Sequence, residues 1–299
     1  MRVSIGDVRL FFDVDGAAVV TAGDAMTDRP TVILLHGGPG VDHSLFKPDF
    51  GALADVAQVV YLDQRGSGRS DPGEPADWTW QRWADDVADV CAALEIDRPV
   101  LVGTSSGGMV AMTCAARHPS LVAGLVLDST FGTPMTFDEG LDVFERRGGA
   151  AARAAAARYL GGDHGPEATR DWRDHCLPLY GSGNGDVRER LARARVNDDV
   201  QTHFRRGGCG PGDATPFLAD VTCPVLVLNG ADDPVTPVSA ARRLAEALPD
   251  GHFEVFDGTG HGVFRQAPEQ AFALVREFLT TVTRGSARSG ARRRHHHSP

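Results

Sequence analysis

Apolar residues fall in two rhythms along this chain. Residues 31–35, 57–63, 100–102, 121–127, 224–229 and 252–256 are short, mostly apolar runs rich in Val and Leu, as expected of strands covered on both faces. Between them the spacing changes to steps of three and four. Trp83, Val87, Val90, Cys91 and Leu94 put an amphipathic helix over 80–94. Further helices are expected after 105, ending near His118-Pro119, and over 237–248 and 268–282. Two runs at 8–13 and 17–21 flank Asp15-Gly16, a turn dipeptide, and predict an opening hairpin.

The alternation stops between Met135 and about Thr215. Arginine-rich helical segments such as 150–160 take over, punctuated by Gly148-Gly149, Gly161-Gly162 and glycines within 181–185 and 207–212. The pattern predicts an α/β fold with a mostly parallel central sheet and helices on both faces. Its core covers 1–132 and 216–283, a helical cap of 133–215 is inserted after the sixth strand, and 284–299 form a disordered basic tail.

Composition narrows the class. Of 299 residues 42% are hydrophobic and 23% charged, the profile of a soluble globular enzyme. Residues 1–12 lack the basic region and apolar block of a secretory signal, and no apolar run approaches the ~20 residues of a membrane span, so no membrane partner is expected. Cys91, Cys114, Cys176, Cys209 and Cys223 are odd in number and form no Cys-x-x-Cys pair. They read as reduced, mostly buried thiols of a cytoplasmic protein. The net charge is −10 despite arginines at 284, 288, 292, 293 and 294, so the folded part is more acidic still. An acidic surface repels phosphate backbones and excludes nucleic acid as a partner. The tail through His295-His296-His297 is read as solvated or as an expression remnant, with no metal role.

The candidate chemistry sits at the ends of the buried runs. After 100–102 comes Gly103-Thr104-Ser105-Ser106-Gly107, small residues where a strand meets a helix, the setting for a strained turn that presents a serine. Ser105 lies between the two glycines; Ser106, framed by Thr104 and Gly108, is the alternative. His36-Gly37-Gly38-Pro39-Gly40 follows 31–35 with sterically uncovered backbone amides, which suits an oxyanion site. Gln64 to Ser70 is a polar, glycine-rich loop without a P-loop ending and is expected to shape the floor of the site. Gly230-Ala231-Asp232-Asp233 and Gly260-His261 close two more runs. Tips of parallel strands point the same way, so Ser105, an aspartate near 233 and His261 can converge.

Together these motifs resemble the α/β-hydrolase superfamily and, within it, the proline iminopeptidase group. The carrying residues are His36 to Gly40, Asp63 to Ser70, the Gly103 to Gly107 turn, Gly230 to Asp233 and Gly260-His261. The resemblance implies an α/β-hydrolase fold in which Ser105 is the nucleophile, His261 the general base and Asp233 the orienting acid, preferred over Asp232 because it lies three residues after Gly230 and immediately before Pro234. Asp128 and Asp257 are the acids to suspect if Asp233→Asn costs little activity. Gly38 and Ser106 would supply the oxyanion-hole amides, and no cofactor or metal is implied.

The implied reaction is hydrolysis through an acyl-enzyme. The expected substrate is a small molecule or short peptide, first by an iminopeptidase-like aminopeptidase or amidase, second by an esterase or lactonase on small acyl groups. A non-catalytic binding protein of the same fold is the competing class. Two departures bear on substrate. Ser106 stands where iminopeptidases commonly carry a bulky aromatic residue. The cap acids Asp138, Glu139, Asp142, Glu145, Glu167 and Asp171 form no motif that would mark a pair for a substrate amine.

Overall fold

The computed structural model describes residues 1–133, 137–181 and 187–294, the side chains of 137 and 284–294 excepted. Met135, the glycines at 183 and 185 and His295 to His297 lie outside the described residues. The strands are β1 (Arg2–Ile5), β2 (Val8–Asp15), β3 (Val19–Ala22), β4 (Ala25–Asp28), β5 (Thr31–Leu35), β6 (Gln58–Leu62), β7 (Val100–Thr104), β8 (Gly124–Asp128), β9 (Val225–Gly230) and β10 (Gly251–Phe256). Eight of them form one sheet in the order β1-β2-β6-β5-β7-β8-β9-β10. The pairs β1–β2 and β2–β6 are antiparallel, and every pair from β6 to β10 is parallel.

The central strands follow the apolar runs because both of their faces are covered. On β5, Val32 and Leu34 join one core cluster while Ile33 and Leu35 join the other. On β7, Val100 and Val102 face the first and Leu101 the second. Helices α1 (Trp80–Ala93) and α2 (Ser106–Arg117) pack against one side, and α9 (Pro268–Arg294) contributes Phe272, Val275 and Leu279 to the other.

The amino-terminal strands correct the expected hairpin. Gly16, at φ +79°, ends β2, and the tight turns fall instead at Gly6 (φ +60°) and Gly23 (φ +62°). Strand β2 therefore pairs with β1 and β6, while β3 and β4 form a separate two-stranded sheet. Strand β1 alternates Val3 and Ile5 inward with Arg2 and Ser4 outward over only four residues, too short to stand out by pattern. Strand β8 starts at Gly124 rather than 121 because Leu121 is still in the turn closed on His118.

Between β8 and β9, the sixth and seventh strands of the main sheet in chain order, lies the helical insertion. It contains α3 (Phe137–Leu160), α4 (Pro166–Asp171), a helical turn at Leu177–Tyr180, α5 (Val187–Arg193) and α6 (Asp198–Arg205). Gly149, at φ +74°, breaks α3 into two helical parts, at one of the expected glycine pairs. The insertion has its own small core around Phe144, Ala156 and Cys176. Helix α7 (Val238–Ala247) covers β9 and β10, and α8 (Val263–Gln266) follows the last strand. Helix α9 runs past 282 to Arg294, where the sequence pattern expects no regular structure; alanine and arginine are good helix formers and continue the turn without an apolar stripe.

The glycine-rich loop after β6 is locked by a buried cation. Arg65 is fully buried, donates to both carboxylate oxygens of Asp86 at 2.9 Å, and also reaches Asp7 at 3.0 Å. Asp86 is itself 2% exposed, whereas the Asp7 side chain is 62% exposed. Removing the buried partner strands a charge in the core. Asp86→Ala is expected to lower unfolding free energy by about 3–5 kcal/mol, and Asp7→Ala, at the solvent-exposed partner, to change it little. Urea titration checks this; equal small losses would contradict the assignment of Asp86 as the counter-ion.

Candidate active site

Ser105 sits at the tip of β7 with φ 53° and ψ −124°, a backbone conformation that a non-glycine residue adopts at a cost of roughly 1–3 kcal/mol. Ser106 has no such backbone: it opens α2, and its hydroxyl is buried without a hydrogen-bond partner. The strain is held by close backbone contact. A β-carbon on Gly107 would lie 2.0 Å from the Leu35 carbonyl oxygen of β5, and one on Gly103 would lie 2.5 Å from the Gly107 carbonyl oxygen. Only glycine lets the turn press onto the neighbouring strand.

The loop after β5 meets Ser105 from the other side. Gly37 is so close that a β-carbon there would fall 2.9 Å from the Ser105 β-carbon. Gly38 follows at φ +121°. His36 Nδ1 lies 3.0 Å from the Gly37 carbonyl, and its Nε2 accepts from the Gln64 amide at 3.2 Å, which defines a neutral ring with the proton on Nδ1. Burial pulls His36 below the ordinary histidine range, in keeping with that neutral form. Gln64 also donates to the His36 carbonyl at 2.8 Å, so the loop after β6 fixes the loop after β5.

On the far side of β7, the loops after β9 and β10 bring Asp233 to His261. His261 Nδ1 is 2.9 Å from Asp233 Oδ2. Asp233 is fully buried and accepts from the amides of Val235 (2.8 Å) and Thr236 (2.9 Å) and from the Thr236 hydroxyl (2.7 Å). Burial alone would raise its carboxyl; the His261 ring and the Thr236 bonds outweigh it and hold the group below the usual carboxylate range. The other acids do not reach the ring. Asp232 is 37% exposed beside Arg146, and Asp257 is exposed.

Asp128 is buried but serves as a strut. Its Oδ1 accepts from the Val263 amide at 3.0 Å, its Oδ2 from the Thr104 hydroxyl at 3.2 Å, and its carbonyl from the Ser105 amide at 3.0 Å. Burial pushes its carboxyl above the usual range. The neighbouring Ser129 hydroxyl accepts from the Gly262 amide at 2.8 Å. The tip of β8 thus bridges the turn that carries Ser105 and the loop that carries His261. No hydrogen bond joins Ser105 Oγ to the imidazole in this conformation; such contacts commonly tighten with substrate bound.

The alpha/beta hydrolase family model matches residues 32–274, which spans the sheet from β5 onward and every loop described above. The chain belongs to the alpha/beta hydrolase family. Among curated members it is 30% identical over 281 residues to the putative carbamate hydrolase RutD of Caulobacter sp. (strain K31), covering 89% of this chain and 97% of that one. It is 29% identical over 273 residues to the proline iminopeptidase of Lactobacillus delbrueckii subsp. lactis, covering 85% and 91%. In structure it resembles the proline iminopeptidase of Mycobacterium smegmatis, with a TM-score of 0.77 and 26% identity over 96% of this chain and 99% of that one. The resemblance to the iminopeptidase group therefore holds in both sequence and fold.

Among the described residues no three of His, Cys, Asp and Glu are grouped to hold a metal ion, and no helix is long and apolar enough to cross a membrane. All five cysteines are free and buried; burial pushes the Cys91 thiol up to about 12 and the Cys223 thiol up to about 11. Sequence reasoning missed two supports of this alpha/beta hydrolase site. The strut Asp128-Ser129 carries a signal, polar residues at the tip of a buried strand, from which the sequence alone suggests Asp128 only as a spare acid. The contact of Tyr180 with His261 had none, since it joins residues 81 apart across the helical insertion.

The depressed Asp233 carboxyl has a consequence for stability. Its unfolded value is about 3.9, so its contribution is complete above roughly pH 4 and is lost as pH falls through the lower folded value. Urea titrations of wild type and Asp233→Asn from pH 2.5 to 6 should differ most above about pH 4 and converge in acid. A gap that widens on acidification would contradict the pairing.

Proposed function

We propose that the protein is a serine hydrolase working through an acyl-enzyme. The observation that carries this reading is the buried Asp233–His261 pair, joined through the β8 tip to a serine in a strained left-handed turn. Ser105 Oγ attacks the substrate carbonyl carbon, and its proton passes to His261 Nε2. Asp233 keeps the other ring nitrogen protonated and supports the imidazolium. The backbone amides of Gly38 and Ser106 receive the oxyanion. As the tetrahedral intermediate collapses, the bond to the leaving group breaks and His261 returns the proton to it. Water then attacks the acyl carbon as His261 takes its proton; when the acyl–Oγ bond breaks, His261 returns that proton to Ser105 Oγ and the acid leaves. The helical insertion acts as a cap over this site, and the protein acts in the cytoplasm.

Substrate follows from what the cap offers. The relatives favour an iminopeptidase-like aminopeptidase or amidase on short peptides or small amides, which must bind a free ammonium with a carboxylate in a partly dry pocket. The six cap acids singled out in the sequence are engaged by arginines. Arg153 holds Asp138, Asp142 and Glu145; Arg158 holds Glu167 and Asp171; Arg243 holds Glu139 at 2.9 Å. Five of the six side chains are at least 40% exposed. These pairs favour the second reading, an esterase or lactonase on small acyl groups.

Rates on proline p-nitroanilide, its N-acetylated form and p-nitrophenyl acetate separate the readings. The acetate is expected to be hydrolysed, with Ser105→Ala losing at least about 10³-fold, and the blocked anilide to be cut no more slowly than the free amine. A strong preference for the free amine would restore the aminopeptidase. Hydrolysis unchanged in Ser105→Ala would overturn Ser105 as the nucleophile, and a wild type that cuts none of the three would leave a binding protein as the reading.

A further inference from the structure

The cap touches the base loop directly. The His261 amide donates to the Tyr180 carbonyl at 2.7 Å, and the Tyr180 ring stands edge-on to the imidazole with centroids 5.3 Å apart at 71°. The contact is close enough to require glycine next door: a β-carbon on Gly260 would lie 2.5 Å from that same carbonyl oxygen and 3.1 Å from Arg147 Nη1.

Arg147 lies on α3, at the centre of this contact. Its guanidinium donates to the Leu179 carbonyl, to the Gly181 carbonyl at 2.7 Å and to the Asp232 carbonyl at 2.8 Å. Two of those carbonyls flank Tyr180, and the third immediately precedes Asp233. None of the ion pairs given for the described residues involves Arg147, and both of its terminal nitrogens donate to backbone. Surface arginines of the same cap, Arg153 and Arg158, bind carboxylates instead. Arg147 is half-buried, and in place of a carboxylate one planar fork reaches three carbonyls on two separate segments.

We propose that Arg147 is a positioning residue for His261, stapling the cap segment Leu177–Tyr180 to the loops that carry Asp233 and His261 so that the seated cap completes the catalytic geometry. This rests on the serine-hydrolase reading above. Two short paths carry the effect. One runs from Arg147 through the Leu179 and Gly181 carbonyls to the Tyr180 carbonyl and the His261 amide. The other runs through the Asp232 carbonyl to Asp233. Displacing the base by an ångström leaves substrate binding nearly intact and slows proton transfer, because the reacting atoms no longer meet in line. An arginine that merely held the cap down would act otherwise, on the affinity for bulky substrates and on stability.

The test uses the full chain as wild type, Arg147→Ala and Arg147→Lys, with folding checked by circular dichroism. A small fluorophosphonate reads the Ser105–His261 geometry without filling the cap, and p-nitrophenyl acetate separates kcat from KM. In Arg147→Ala the inactivation rate and kcat should fall together by about 10- to 100-fold while KM stays within about threefold. Arg147→Lys keeps a donor and should recover at least about threefold of the loss. If Arg147→Ala does not fold, Gly260→Ala serves, since its β-carbon pushes against the Tyr180 carbonyl and should slow inactivation similarly. An inactivation rate equal to wild type in a folded Arg147→Ala or Gly260→Ala protein would overturn the staple and leave the serine-hydrolase reading standing. A wild type that does not react at all would remove that reading, and the staple with it.

Discussion

The site depends on one close approach, between the turn after β7 and the backbone of β5. Gly107 lies against the Leu35 carbonyl and Gly103 against Gly107 itself, leaving no room for a β-carbon at either position. That contact drives Ser105 into its left-handed conformation at the head of α2. It also sets Ser105 against Gly37, in the glycine-rich loop after β5. The strain costs roughly 1–3 kcal/mol, and the two-sided burial of β5 and β7 holds it in place.

The charged groups differ in what surrounds them. Arg65 with Asp86, and His36 with Gln64, stiffen the loops on one side of β7. Asp128 and Ser129 tie its tip to the His261 loop on the other. Two buried aspartates at neighbouring strand tips are pushed in opposite directions by their surroundings. Asp233, bonded to His261 and Thr236, is held low; Asp128, with no cation bonded to it, is pushed up by burial. That difference suits Asp233 to support an imidazolium and Asp128 to brace backbone.

Much of this was legible in the residues, and the failures have physical reasons. The central strands β5, β7, β8 and β9 are buried on both faces and show as unbroken apolar runs, so their loops could be placed at one end of the sheet. The edge strands escape the sequence pattern because Asp15-Gly16 looks like a hairpin turn, while the true turns at Gly6 and Gly23 adjoin four-residue strands, β1 too short for its alternation to stand out and β3 and β4 mostly exposed. Asp233 could be separated from Asp232 by position, yet Asp128 could not be recognised as a strut, since its partners Val263 and Thr104 are 135 and 24 residues away. The cap acids looked available in sequence. Their arginine partners lie across the Gly149 break in α3, across the α3–α4 turn or on α7, which no local pattern reveals.

The central claim is that Ser105, and not its neighbour Ser106, carries the acyl group. Intact-mass spectrometry of protein acid-quenched during turnover of p-nitrophenyl acetate, followed by fragmentation of the peptide spanning both serines, addresses it directly. The account predicts an acetyl adduct of one per chain that fragments to Ser105 and is absent in Ser105→Ala. An adduct on Ser106, or one that survives Ser105→Ala, would contradict it.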